Sequence, residues 1–251
     1  DRGVSMRIFF DKRSVLVILS LLAALVIQIP MVEAKDLNDS ADLLKQAVHL
    51  KSQGYYAKAI PTAERALSIQ KKAFGEKDPE VAKSLDLIGE LHYLAGKYRE
   101  AEPILKQALS IRQDLFGPER VETAESYEHL GVLYSLLGQY DQAEKYILHS
   151  LKIRETAYGS DNPKVAETLV ELGRLFVYTD KLKEAEELLH KALGIQEKAL
   201  GAEHPDLVRT LNSLAWLHID TEGYEKAEPF SEKALQISEK AFGPEHPYVA
   251  D

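Results

Sequence analysis

Histidine and carboxylate side chains are the groups in this chain that could move protons or hold a metal, because the sequence has no cysteine. Without thiols there is no disulfide, no thiolate zinc site and no cysteine nucleophile. The eight histidines are scattered, and none belongs to a His-Glu-x-x-His pair. Neither a Gly-x-Ser-x-Gly elbow nor a phosphate-binding Gly-x-x-x-x-Gly-Lys loop occurs. His92 and His218 recur at one position of a repeating pattern and are read as core packing, while His204 and His246 each precede a proline and are read as helix caps. A metal held by a histidine pair is set aside on that ground. Acidic neighbours such as Glu186-Glu187 could form an acid–base dyad. Glutamate is also a strong helix former and abundant here, so they are read as solvated helix surface. The expectation is no catalytic residue, no metal and no cofactor within these 251 residues.

The scaffold that would position any site is legible at three scales. Hydrophobic residues make up 45% and charged residues 28%, the composition of a folded chain. Formal net charge is −9. Residues 1–34 carry four basic and three acidic side chains, which leaves 27 basic against 37 acidic and a net charge of −10 for the remainder. An acidic body repels phosphate backbones, so nucleic acid is not an expected partner.

At the N-terminus, Met6 opens a segment in which Arg7, Lys12 and Arg13 precede an apolar run from Ser14 to Ile29. Val32-Glu33-Ala34 then places small residues at the −3 and −1 positions of a cleavage site before Lys35. This is the pattern of a secretory signal peptide. The 16-residue run would span about 24 Å as a helix, short of a ~30 Å hydrocarbon core, which favours cleavage over an uncleaved inner-membrane anchor. Residues 1–34 are therefore expected to be a signal segment, with the rest exported to the periplasm or secreted, and with no membrane contact beyond that segment. The five residues before Met6 read as upstream translation or added residues.

The third scale is an internal repeat. Gly75, Gly117, Gly159, Gly201 and Gly243 follow one another at intervals of 42 residues. A second block holds the same period, reading GKYREAEPILKQALSI from Gly96 and GQYDQAEKYILHSLKI from Gly138. The units run 37–78, 79–120, 121–162, 163–204 and 205–246, and Pro247 begins a sixth. Each reads as two helices. Leu85, Ile88, Gly89 and His92 share one face of the first helix in the second unit, and Ala101, Leu105, Ala108 and Leu109 share one face of the second. Asp78-Pro79 and Asn162-Pro163 supply an N-cap and a first-turn proline. Gly75 and its equivalents are read as left-handed residues that end the second helices. A chain that stops as a helix begins is expected to be a piece of a longer array or protein, since a solenoid ordinarily closes with a polar capping helix.

This pattern resembles the tetratricopeptide repeat (TPR). The small residues fall on Ala59, Ala101, Ala143, Ala185 and Ala227, and again on Ala66, Ala108, Ser150, Ala192 and Ala234; the aromatic position holds His92, Tyr134, Phe176 and His218. The 42-residue length and the Gly-x-x-His-Pro connection resemble the repeats of kinesin light chains and their bacterial relatives. The resemblance covers about residues 37–251 and implies an all-α fold, a right-handed α-solenoid of stacked antiparallel helix pairs over residues 35–251.

In that family the first helices line a concave groove. The groove positions here give Asp86, Glu90 and Tyr93 in the second unit, Glu128 and Val132 in the third, Arg174 and Tyr178 in the fourth, and Asn212, Trp216 and Ile219 in the fifth. Trp216 is the only tryptophan, and Arg174 is its equivalent one unit earlier. Trp, Tyr and Arg carry much of the energy at protein interfaces, so Trp216 is read as part of a peptide-binding groove, the alternative being half-buried packing between neighbouring units. The paired asparagines of kinesin light chains are reduced here to Asn212, so kinesin-type cargo recognition is not carried over. Asp86, Glu90, Glu125, Glu128 and Glu167 make the middle of the groove acidic, which predicts a basic or mixed peptide segment as ligand. The expected function is an exported, non-catalytic protein-interaction scaffold in a bacterial envelope. The alternative is the regulatory or substrate-recruiting arm of a larger enzyme, such as a CHAT-type caspase-like protease, with its catalytic domain beyond residue 251. Oligomeric state is not legible.

Overall fold

The computed structural model describes residues 34–220 and 223–243. The signal segment up to residue 33, His246 and the start of the sixth unit lie outside the described residues. Ten helices and no strand occur among the described residues, as five consecutive pairs. The pairs are α1 (Ala34–Ser52) with α2 (Tyr56–Phe74), α3 (Pro79–Leu94) with α4 (Tyr98–Phe116), α5 (Val121–Leu136) with α6 (Tyr140–Tyr158), α7 (Pro163–Tyr178) with α8 (Leu182–Leu200), and α9 (Leu207–Asp220) with α10 (Tyr224–Phe242). No helix of the described residues is long and apolar enough to cross a membrane.

Helix boundaries follow local chemistry. Asp78 accepts a hydrogen bond from Glu80 N at 2.8 Å, and Asn162 accepts one from Lys164 N at 2.9 Å, each with proline in the first turn. His204 Nδ1 likewise accepts from Asp206 N at 3.2 Å just before α9. The second helices end on a glycine whose conformation differs from the left-handed expectation. At Gly75 φ is +87° but ψ is 174°. That is extended backbone at positive φ, a region essentially reserved for glycine. Its N–H still closes the last turn on Lys71 O. In the short turn between α7 and α8 the positive φ of 60° falls on Asp180, a residue type that tolerates it.

Stacking comes from matched sizes. Each helix packs on its sequence neighbours, and first helices also touch first helices one unit away, α3 with α5, α5 with α7 and α7 with α9. First helices therefore form the inner layer and second helices the outer one. Within a pair the backbones meet where a side chain is missing. A Cβ at Gly131 would lie 2.5 Å from Ile147 Cγ1, and one at Gly173 would lie 2.8 Å from Leu189 Cγ. In the first and last units alanine takes the glycine position, as Ala47 and Ala215, and the opposing position shrinks to Ala63 and Ser231. Ala59, Ala101, Ala143 and Ala185 are fully buried at the other close approach, as helix crossing requires. One continuous core runs from Tyr93 to Ile237, with two smaller clusters among α1–α4.

A buried polar residue marks every described joint between units. Gln70, Arg112, Arg154 and Gln196 are repeat equivalents, and all four are buried. Each is followed on the next first helix by a buried hydroxyl, Ser84, Ser126, Thr168 or Thr210. At the outer joints the pair is neutral. Ser84 donates to Gln70 Oε1 at 2.5 Å and Thr210 to Gln196 Oε1 at 2.6 Å. At the two middle joints glutamine becomes arginine, and an acid appears on the first helix of the same unit. Arg112 meets Asp86 at 2.8 Å, and Ser126 donates to Asp86 Oδ2 at 2.9 Å. Arg154 meets Glu128 at 2.6 Å, and Thr168 donates to Glu128 Oε2 at 2.6 Å. Where the joint has glutamine, the acid's position holds Leu44 or Val170.

This corrects the placement of two groove residues. Asp86 is 2% exposed and the Glu128 side chain 16% exposed, and both are engaged in binding unit to unit. The reason is that Arg112 and Arg154 reach them from the second helix of their own pair.

Burial pushes the Asp86 carboxyl up to about 6, against the pull of the Arg112 charge; burial likewise raises Glu128. A carboxyl raised in this way holds its proton more tightly in the folded chain than in the unfolded one. Its contribution to stability is therefore full below the ordinary value of 3.8 and is lost as pH rises through about 6. Urea denaturation from pH 4 to 8 should show the stability of the wild type relative to Asp86→Asn falling by roughly 3 kcal/mol up to pH 6–7, then levelling. A difference that is flat across this range would contradict the assignment.

Candidate ligand-binding groove

The inner layer of first helices presents the ten expected groove residues in two halves of different character. In the half formed by α3 and α5 the side chains bind one another. Lys51 donates to Glu90 at 2.8 Å. Tyr93 is buried, with its hydroxyl 3.2 Å from His129 Nδ1, and burial pushes its pKa well above the ordinary value, so it stays neutral. Val132 packs on the core. The acidic middle of the groove is matched by cations of the same chain. Besides Asp86 and Glu128, Glu125 pairs with Arg112 at 3.0 Å and Glu167 with Lys164 at 2.8 Å.

The half formed by α7 and α9 is open. Arg174, Tyr178, Asn212 and Trp216 line a cavity of about 620 Å³ together with Val177, Arg209 and Ser213. Trp216 is 68% exposed and Tyr178 is 52% exposed. The Tyr178 ring is held by a parallel stack on Tyr140, centroids 6.3 Å apart and planes 13° apart. Ile219 is exposed one turn beyond Trp216 on α9 and is not among the lining residues. The sequence reading thus brings four of its ten residues into one cavity.

The two arginines of that cavity, Arg174 and Arg209, converge on a carboxylate that is not among the ten expected groove residues. Glu171 is 5% exposed beneath the floor and contacts Arg209 closely, with Arg174 3.6 Å away. Two guanidiniums therefore share one carboxylate, and donors remain for an incoming anionic group. Arg209 and Val177 also stand at groove positions, which the repeat pattern marks without ranking one above another. Glu171 follows Val170 at a position outside the groove pattern; the kinesin-light-chain resemblance places one of its paired asparagines there, which does not mark a buried counter-ion.

Among the described residues one cluster has metal-ligand donor types: Glu186, His190 and His218, with their donor atoms within 4.8 Å of one another. His92 and His218 are both buried, as the core-packing reading requires.

The sequence model of the tetratricopeptide repeat matches this chain over residues 39–114, 102–156, 122–197 and 165–240. No curated protein sequence matches it. Among solved structures, the nearly identical TPR-like repeats assigned to a kinesin light chain of Podosopora anserina share 23% identity, with a TM-score of 0.58 over 80% of this chain and 94% of that one. BtubC (BKLC) from P. vanneervenii shares 21% identity, with a TM-score of 0.60 over 89% of this chain and 94% of that one. A Rap protein complexed with Competence and Sporulation Factor shares 16% identity, with a TM-score of 0.69 over 80% of this chain and 54% of that one. At these identities the structures establish the fold alone. The matched stretches span all five units, and the chain belongs to the tetratricopeptide-repeat family.

Proposed function

We propose that this chain is an exported, non-catalytic scaffold that captures a protein or peptide segment in the cavity between α7 and α9. A tetratricopeptide-repeat array is a protein–protein interaction scaffold, and the Rap protein with a similar fold is seen complexed with Competence and Sporulation Factor. The observation that carries the reading is the 68% exposure of Trp216 beside Arg174 and Arg209. An indole left in water costs free energy that a partner recovers by covering it.

The ligand chemistry follows from the lining. Two arginines on one buried carboxylate favour an anionic group, and Trp216 and Tyr178 favour an apolar or aromatic neighbour. The basic or mixed segment expected from the acidic groove residues is thus narrowed to a mixed one that carries a carboxylate. Because those acids already have cations, they contribute little free negative charge. Complementary charge here speeds encounter and weakens with salt.

Trp216 is the sole tryptophan, so its fluorescence reports on the cavity alone. Peptides selected from a random display library should be enriched in an acidic residue next to an aromatic or large aliphatic one, and should shift that emission. For such a peptide, Arg174→Ala should weaken affinity by about tenfold or more, and Trp216→Ala, followed by calorimetry, should do the same. Unchanged affinity in both variants would remove the groove from the account.

Export rests on the Met6–Ala34 segment. Helix α1 begins at Ala34, so cleavage before Lys35 would leave the repeat array essentially intact. A chain expressed from Met6 in a secreting bacterium should be recovered outside the cytoplasm with Lys35 as its first residue. Recovery in the cytosol with Met6 retained would refute export.

A further inference from the structure

Glu186 and His190 stand one turn apart on α8 and face His218 on α9, so this cluster bridges the fourth and fifth units. Phe230 of α10 lies beside both imidazoles. It stacks on His218 at 5.7 Å and 14° and meets His190 edge-on at 5.9 Å and 60°.

The same seat occurs at two earlier joints, and a lysine fills it at both. Two units earlier, Glu102 of α4 accepts from Lys106 Nζ at 2.7 Å and from the Tyr134 hydroxyl at 3.0 Å. Lys106 and Tyr134 are the repeat equivalents of His190 and His218. One unit earlier, Glu144 of α6 takes Lys181 Nζ at 3.1 Å, and that ammonium lies 4.5 Å from the ring centre of Phe176, the other equivalent of His218. At the third seat the lysine positions hold His190 and Gly223. Among the described residues the basic side chain recorded against Glu186 is His218, with Nε2 at 3.9 Å. A carboxylate matched elsewhere by a fixed ammonium therefore faces two imidazoles here.

We propose that a divalent metal ion, Zn²⁺ by its ligand preference, takes the place of the ammonium at this third seat. Glu186, His190 and His218 are its protein ligands, and water completes the shell. Two imidazoles with one carboxylate suit zinc and its neighbours in the first transition row rather than magnesium or calcium. Metal–nitrogen bonds of about 2.0–2.1 Å require the donors to close to roughly 3.3 Å from one another. His190 is exposed and can rotate, while His218 is buried and already fixed against Phe230. The ion would tie α8 to α9 two residues past Trp216, and so stiffen the helix that carries half of the cavity.

The test is calorimetric titration of the tag-free chain with Zn²⁺ alone. Saturable one-to-one binding is expected, together with a rise in melting temperature. His190→Lys restores the lysine of the Glu102 seat, and His218→Phe reproduces the phenylalanine of the Glu144 seat. Both are side chains that this position already accommodates elsewhere in the array, so the fold is retained. Each should weaken Zn²⁺ binding by at least roughly tenfold. Absence of saturable binding by the wild type overturns the proposal, and so does equal affinity in both variants, which would assign the ion to other histidines.

Discussion

The arrangement of this array depends on how charge is buried between units. A carboxylate taken out of water must be met by a cation, or the fold loses several kcal/mol. The two middle joints solve this with Asp86–Arg112 and Glu128–Arg154, each closed by a hydroxyl from the next unit. The outer joints avoid the problem with Gln70–Ser84 and Gln196–Thr210. Charged and neutral versions are both complete sets. Leu44 and Val170 stand where the acid would otherwise be stranded, so acid and arginine occur together or not at all. Hydrophobic burial drives the stacking, but oily faces slide. At each described joint a hydroxyl of the next unit bonds a buried polar side chain of the unit before it, a directional contact that apolar faces lack.

With Asp86 and Glu128 drawn into the joints and Glu90 held by Lys51, the half of the groove on α3 and α5 is satisfied internally. The half on α7 and α9 is not. There Glu171 sits beneath two guanidiniums, and Trp216 of α9 is exposed. Among the described residues the concave side thus has a closed half on α3 and α5 and an open half on α7 and α9.

Much of the fold was legible because the repeat is written in residues with few alternatives. Glycine at Gly75 and its equivalents, proline after Asp78 and Asn162, and alanine at the crossings each have one dominant structural reason. The cavity was partly legible, since Trp216, Arg174, Tyr178 and Asn212 lie at groove positions and meet there. Asp86 and Glu128 were misplaced because helical register says which way a residue points but not which neighbour claims it. The signal that could have found them is internal. Acid and arginine occur at the same separation in two units and are jointly absent from the flanking two. Glu171 had no such marker, because a buried counter-ion beneath a groove is defined only once α7 and α9 are side by side.

The central claim is that acid and arginine at a middle joint form a matched set replaceable only as a set, and a double-mutant cycle tests it most directly. Asp86→Leu and Arg112→Gln, separately and together, convert the joint to the composition of its neighbours, with stability read from urea denaturation at pH 7. Arg112→Gln alone should cost roughly 3–5 kcal/mol, while the double variant should lie near the wild type or above it, as replacement of buried ion pairs by neutral groups often does. Additive losses, with the double variant as unstable as the sum of the two singles, would contradict the account.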